Sequence, residues 1–178
     1  MNKTNLNRCH QTLPPRLLVL LLCLLCTGCG YTTQELYPTQ FNTVSVPNFE
    51  NRSGERGVEF ALREALIKEI EQRTPYKVVG SSSLADTQLT GSVLRIDRQL
   101  ISRDPNAGLP QEIELTVTID FDWRDLRTGK TLRGYKGFSA AGQFVPARVV
   151  GEFEEDGRRQ AVQRLAQDIV SQMRDNQW

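Results

Sequence analysis

Past position 10 the chain has no histidine, and past position 29 it has no cysteine. The first absence excludes Ser–His and Cys–His nucleophilic pairs from everything downstream of His10. It also excludes zinc sites built from His and Cys. The second excludes a disulfide in residues 30–178, so a fold there must be held by a packed core. Acidic residues are missing from the first 28 positions, which carry Lys3, Arg8, Arg16 and His10. A long apolar run is missing too. The run LLVLLLCLL, Leu17 to Leu25, has nine residues. As a helix it rises about 14 Å, well short of a bilayer core of roughly 30 Å. Net charge is also lacking, at +1 over 178 residues, and that balance does not describe a nucleic-acid binder.

What is present at the start is a basic stretch, a short apolar run and then small residues. That is the order of a secretory signal peptide. Three cysteines follow within seven positions, at Cys23, Cys26 and Cys29. Cys29 comes after the small residues Thr27 and Gly28, as in a bacterial lipobox. Cys26 comes after the bulky Leu24 and Leu25. The expectation is cleavage before Cys29, with acyl chains such as palmitate on its thiol. Residues 1–28 would then be the signal peptide and 29–40 a lipidated tether. Residues 41–178 would form one domain. Removing Lys3, Arg8 and Arg16 leaves 19 basic against 21 acidic residues, a mature charge of −2. Two or three acyl chains hold a protein firmly to a membrane. No aspartate follows Cys29, so the outer membrane is the expected address.

Downstream, FNTVSVPNF (41–49) reads as a short strand and ENRSGERG as a turn. Val58, Ala61, Leu62, Ala65, Leu66 and Ile70 recur at helical spacing, and Thr74-Pro75 ends that helix. Tyr76 to Val79 is a second strand. Leu89 to Ile101 is a longer one whose apolar phase shifts between Val93 and Leu94. Either a β-bulge or cover on both faces accounts for the shift. Ile113, Leu115, Val117, Ile119, Phe121 and Trp123 alternate with polar residues, so one face is buried and one wet. RDLRTGK (124–130) is a turn, and Thr131 to Phe138 returns as a hairpin partner. Val162, Leu165, Ala166, Ile169, Val170 and Met173 form the stripe of a final helix. The expected fold is α+β, with two helices on one face of a mostly antiparallel sheet of four to five strands.

Chemistry-bearing patterns are sparse. Gly129-Lys130-Thr131 resembles the end of a phosphate loop, but Arg124 stands where its first glycine belongs. Glu112, Glu114, Asp120 and Asp122 lie along a strand, with same-face neighbours nearly 7 Å apart, and read as a solvated face rather than a cation site. No catalytic, metal or cofactor residue is expected. The basic residues are more suggestive. Arg98, Arg103 and Arg148 border DPNAGLP (104–110) and the apolar FVPARVV (144–150), a pairing suited to an anionic glycolipid. Lys130, Arg133 and Lys136 are a second basic set, and surface charge is the plain reading of each.

With CGY (29–31), VSVPNFENRSG (44–54) before a helix and ADTQLTGSV (85–93) opening a long strand, the chain resembles the LptE family. The resemblance implies two helices on a sheet of four or slightly more strands. It implies a non-enzymatic outer-membrane lipoprotein on the periplasmic face. Such a protein partners the LptD β-barrel and binds lipopolysaccharide through basic residues. The VPNFENRSG segment with its helix and YKVV also resembles the small α/β domains of TolB and of CsgG-like secretion lipoproteins. That alternative implies a structural or secretion component.

Overall fold

The computed structural model describes residues 37–103, 105, 110–146 and 152–174. Cys29, the signal segment, Arg148 and most of the 104–110 loop lie outside them. In chain order the elements are β1 (Thr43–Ser45), β2 (Glu50–Asn51), α1 (Val58–Arg73), β3 (Lys77–Val79), β4 (Thr87–Arg103), β5 (Pro110–Asp125), β6 (Thr131–Phe144) and α2 (Glu152–Gln172).

Local side chains explain the path into α1. The Asn51 amide donates to the Glu55 carbonyl at 2.6 Å and to Glu59 Oε2 at 2.7 Å. Its carbonyl oxygen accepts from the Ser53 N–H and hydroxyl. One side chain thus closes the ENRSG turn and ties it to the first turn of the helix. At the other end both the N–H and the hydroxyl of Thr74 donate to the Ile70 carbonyl, closing the last turn.

The sheet runs β3-β1-β4-β5-β6, with β2 also paired to β4. β4 and β5, and β5 and β6, are antiparallel. β1 pairs in parallel with both β3 and β4, and β2 with β4. The sheet is therefore mixed, with one more strand than expected. The parallel pairs follow from β1-α1-β3, since a helix returning the chain lets the next strand run the same way. The hairpin partner also runs on to Phe144, beyond the expected Phe138.

Val93 pairs with Ile119 and Arg95 with Thr118, so Leu94 is an inserted residue. This is a β-bulge at the phase shift. Beyond it Ile96 packs against the core, restoring the apolar face.

Both helices cover one face. The core joins Val58, Leu62, Leu66 and Ile70 of α1 with Leu165, Ala166, Ile169 and Met173 of α2. Leu89, Val93, Leu115, Val117 and Ile119 meet them from the sheet. Burying each larger aliphatic side chain stabilises by roughly 1.5–3 kcal/mol. α2 lies against β6 with almost no gap. A Cβ added to Gly142 would stand 2.0 Å from the Gly157 carbonyl oxygen and 2.8 Å from the Ala161 nitrogen. Glycine is required there because backbone meets backbone.

Candidate functional site

Polar groups gather at opposite ends of the sheet. At one end the chain enters at Tyr37 and Phe41, β1, β3 and β4 begin, and β5 turns into β6. At the other, β4 finishes at Arg103 and β6 at Phe144. β4 alone has 17 residues, so the two ends stand on the order of 50 Å apart.

At the far end Arg98 is held on two sides. Its Nη2 lies 2.7 Å from Glu55 Oε1 and 2.5 Å from Glu154 Oε1. Glu55 precedes α1 and Glu154 is in the first turn of α2, so Arg98 joins β4 to the start of both helices. Arg158 lies 3.8 Å from Glu55 and pairs with Glu155. The hydrogen bonds it donates to Glu154 and then to Glu55 raise the Arg98 pKa further above the usual guanidinium value. Arg98 is thus permanently charged and engaged by protein carboxylates. Arg103 is exposed and ends β4, five positions further out. Val145, near the end of β6, is exposed, and Pro146 after it is half-buried.

At the entry end Asp86 organises the strand starts. Its Oδ2 accepts from Asn42 N–H at 2.8 Å, Thr43 N–H at 3.0 Å and the Thr43 hydroxyl at 3.0 Å. The Asp86 carbonyl accepts from Leu126 N–H at 2.9 Å, drawing in the β5–β6 turn. The N–H of Asn42 first, then the Thr43 hydroxyl and N–H, hold the Asp86 pKa below the ordinary carboxylate value. In the turn, Gly129 has φ +71 and donates to the Asp125 carbonyl, confirming a hairpin rather than a phosphate loop. Tyr37 packs edge-on against Tyr76 at 5.9 Å, and the Tyr76 hydroxyl donates to the Pro38 carbonyl.

The expected carboxylate row lies on β5, with its members half-buried. Asp120 accepts from Gly137 N–H and Asp122 pairs with Arg124. Among the described residues no cluster suited to a metal ion occurs. Lys130 and Lys136 are exposed, while Arg133 donates to the Leu132 carbonyl. Glu55, Glu154 and Asp86 carry most of this geometry and were not among the expected site residues. A lone aspartate just before a strand-forming run was a usable signal for Asp86. The carboxylates around Arg98 had none, since Glu154 is 56 positions away.

The family model for LptE, lipopolysaccharide-assembly, matches residues 41–174. The chain belongs to the LptE family. That match spans every described element from β1 to α2. Among curated proteins none matches the chain. Solved structures of low sequence identity resemble the chain. A hypothetical protein from Chlamydia trachomatis is 9% identical, with a TM-score of 0.50, covering 74% of this chain and 94% of its own. PelC from Paraburkholderia phytofirmans, solved as a dodecamer, is 15% identical with a TM-score of 0.48, covering 80% and 96%. A minor lipoprotein from Acinetobacter baumannii is 20% identical with a TM-score of 0.44, covering 75% and 93%. The LptE family is a family of non-enzymatic lipoproteins, and membership makes this chain an envelope lipoprotein of lipopolysaccharide assembly.

Proposed function

We propose that the mature protein is acylated at Cys29 and held on the periplasmic face of the outer membrane. There it partners an LptD-like β-barrel in delivering lipopolysaccharide to the cell surface. The observation that carries this reading is the LptE match over the whole folded domain. Two features support it. The sheet face away from the helices carries a polar stripe on β5, available to a second protein. The far end offers exposed Arg103, and the chain continues from Phe144 and Val145 toward position 148. A guanidinium suits a lipid phosphate, and neighbouring apolar side chains suit acyl chains. Arg98, engaged by Glu55 and Glu154, has the part of bracing that end rather than touching lipid.

The test is affinity capture of the tagged, membrane-extracted protein. A large outer-membrane β-barrel should co-purify in stoichiometric amount, and depletion of the chain should lower the amount of assembled barrel. Recovery of a ring of this chain alone, with barrel levels unchanged by depletion, would overturn the proposal.

A further inference from the structure

The sheet ends in two edge strands. β3 has three residues, while β6 has 14. A long edge strand offers unpaired N–H and C=O groups to any further strand. The two halves of β6 meet that hazard differently. The first half carries Arg133 and Lys136. Its register shifts opposite Asp120, where Gly137 has φ +66 and donates its N–H to the Asp120 carboxylate. Charge and a bulge blunt an edge. The second half has neither. Residues 138–144 pair one for one with 113–119 of β5, and GFSAAGQF (137–144) has no charged residue. α2 lies along this half instead. Arg164 Nη1 donates to the Ala141 carbonyl at 2.8 Å, and Gln160 Nε2 donates to the Gln143 carbonyl at 3.3 Å. Further along, Gln172 accepts from the Tyr135 hydroxyl at 2.8 Å. Gln160, Arg164, Asp168 and Gln172 are spaced by four and form one column on the helix.

We propose that this polar column closes the uncharged half of the β6 edge against strand addition, and that the strand it excludes is β6 of a second copy of the chain. The two periods match. Four helical residues rise about 6 Å and two strand residues about 6.7 Å, so successive turns of α2 meet successive outward groups of β6. Alternate residues of a strand bond to opposite sides, so the Ala141 and Gln143 carbonyls point away from β5, as does Ser139. The close approach of Gly157 to Gly142 brings the helix near enough for the two side chains to reach over the edge. Without them, two β6 edges related by a two-fold axis would offer each other the same outward groups and pair antiparallel. With them, the carbonyls are satisfied from within one chain, at no cost in lost freedom of a partner.

The experiment uses the full chain extracted from membranes in detergent. Sedimentation equilibrium reads its self-association, and amide hydrogen exchange reads the outward N–H groups of Ser139, Ala141 and Gln143. Wild type should sediment as a monomer with fast exchange at all three. In the Gln160→Ala, Arg164→Ala variant self-association should tighten at least about tenfold, since two carbonyls lose their donors. The three amides should become protected as the dimer forms. Arg164→Lys keeps a donor over the Ala141 carbonyl and should stay monomeric. Circular dichroism checks that each variant folds, and where the double variant does not, Arg164→Ala alone is measured in the same way. A folded variant that stays monomeric overturns the proposal, as does a wild-type dimer whose outward amides are already protected. So does association that leaves the three amides in fast exchange, which would mean contact at another surface. Dimerisation of Arg164→Lys as tight as that of the double variant would also overturn it.

Discussion

Asp86 gathers the starts of β1 and β4 and the β5–β6 turn around one residue. Replacing it with alanine leaves the Asn42 and Thr43 N–H groups without their acceptor. At a half-buried site this should cost about 1–3 kcal/mol, read from urea denaturation. The pH dependence follows from the lowered pKa. A carboxyl whose folded pKa lies below its unfolded value of about 3.9 adds stability above that value. The contribution is lost as pH falls through the folded pKa. Wild type should therefore lose stability below about pH 4 more steeply than Asp86→Asn. Identical acid profiles would show that Asp86 is not a linked group. At the far end, Arg103→Glu with Arg148→Glu should abolish binding of purified lipopolysaccharide at low salt and leave thermal unfolding unchanged. Undiminished binding would move the proposed site to Lys130, Arg133 and Lys136.

The contact between α2 and β6 is set by what is missing from two side chains. Gly142→Ala puts a methyl group into the Gly157 backbone, which cannot give way as a side-chain tip would. Overpacking of this kind costs about 1–3 kcal/mol, and backbone against backbone belongs at the upper end. Gly134→Ala on the same strand, whose added Cβ would come no nearer than 3.2 Å to the Asp122 carboxylate, is the matched control for denaturation. Little of this was legible in the chain. Residues 139–142, SAAG, carry no alternation, so β6 could be followed only to Phe138. β2 has two residues, too few for any period. Parallel pairing leaves no mark on three-residue strands, although strand–helix–strand order hinted at it. Leu94 was legible because one inserted residue reverses the face of every residue after it. The α2 stripe was legible because all six of its expected members are buried. Arg98 was recognisable as a significant arginine, but its role depends on distant carboxylates, and no local pattern records those.

Cys29→Ala should leave the precursor uncleaved and remove the protein from the outer-membrane fraction, as mass spectrometry and fractionation would show. An unchanged N-terminal mass would end the reading of Cys29 as the acylated residue. The core of the domain draws on no residue before Phe41 among the buried apolar side chains described.

The interior place of β1 in the sheet has a bearing on how the chain acquires its structure. β1 is the first strand made, yet both its neighbours, β3 and β4, come later. Part of the apolar face of β5 is closed by α2, the last element. Until synthesis is nearly finished, Leu115, Val117 and Ile119 lack the part of their cover that α2 supplies. Non-local pairing of this kind slows folding and prolongs the exposure of apolar surface. A chain secreted with its start fixed in one membrane would pass through that open-faced stage on its way to another. Its fate between the two would depend on a periplasmic chaperone able to shield a sheet still waiting for its final helix.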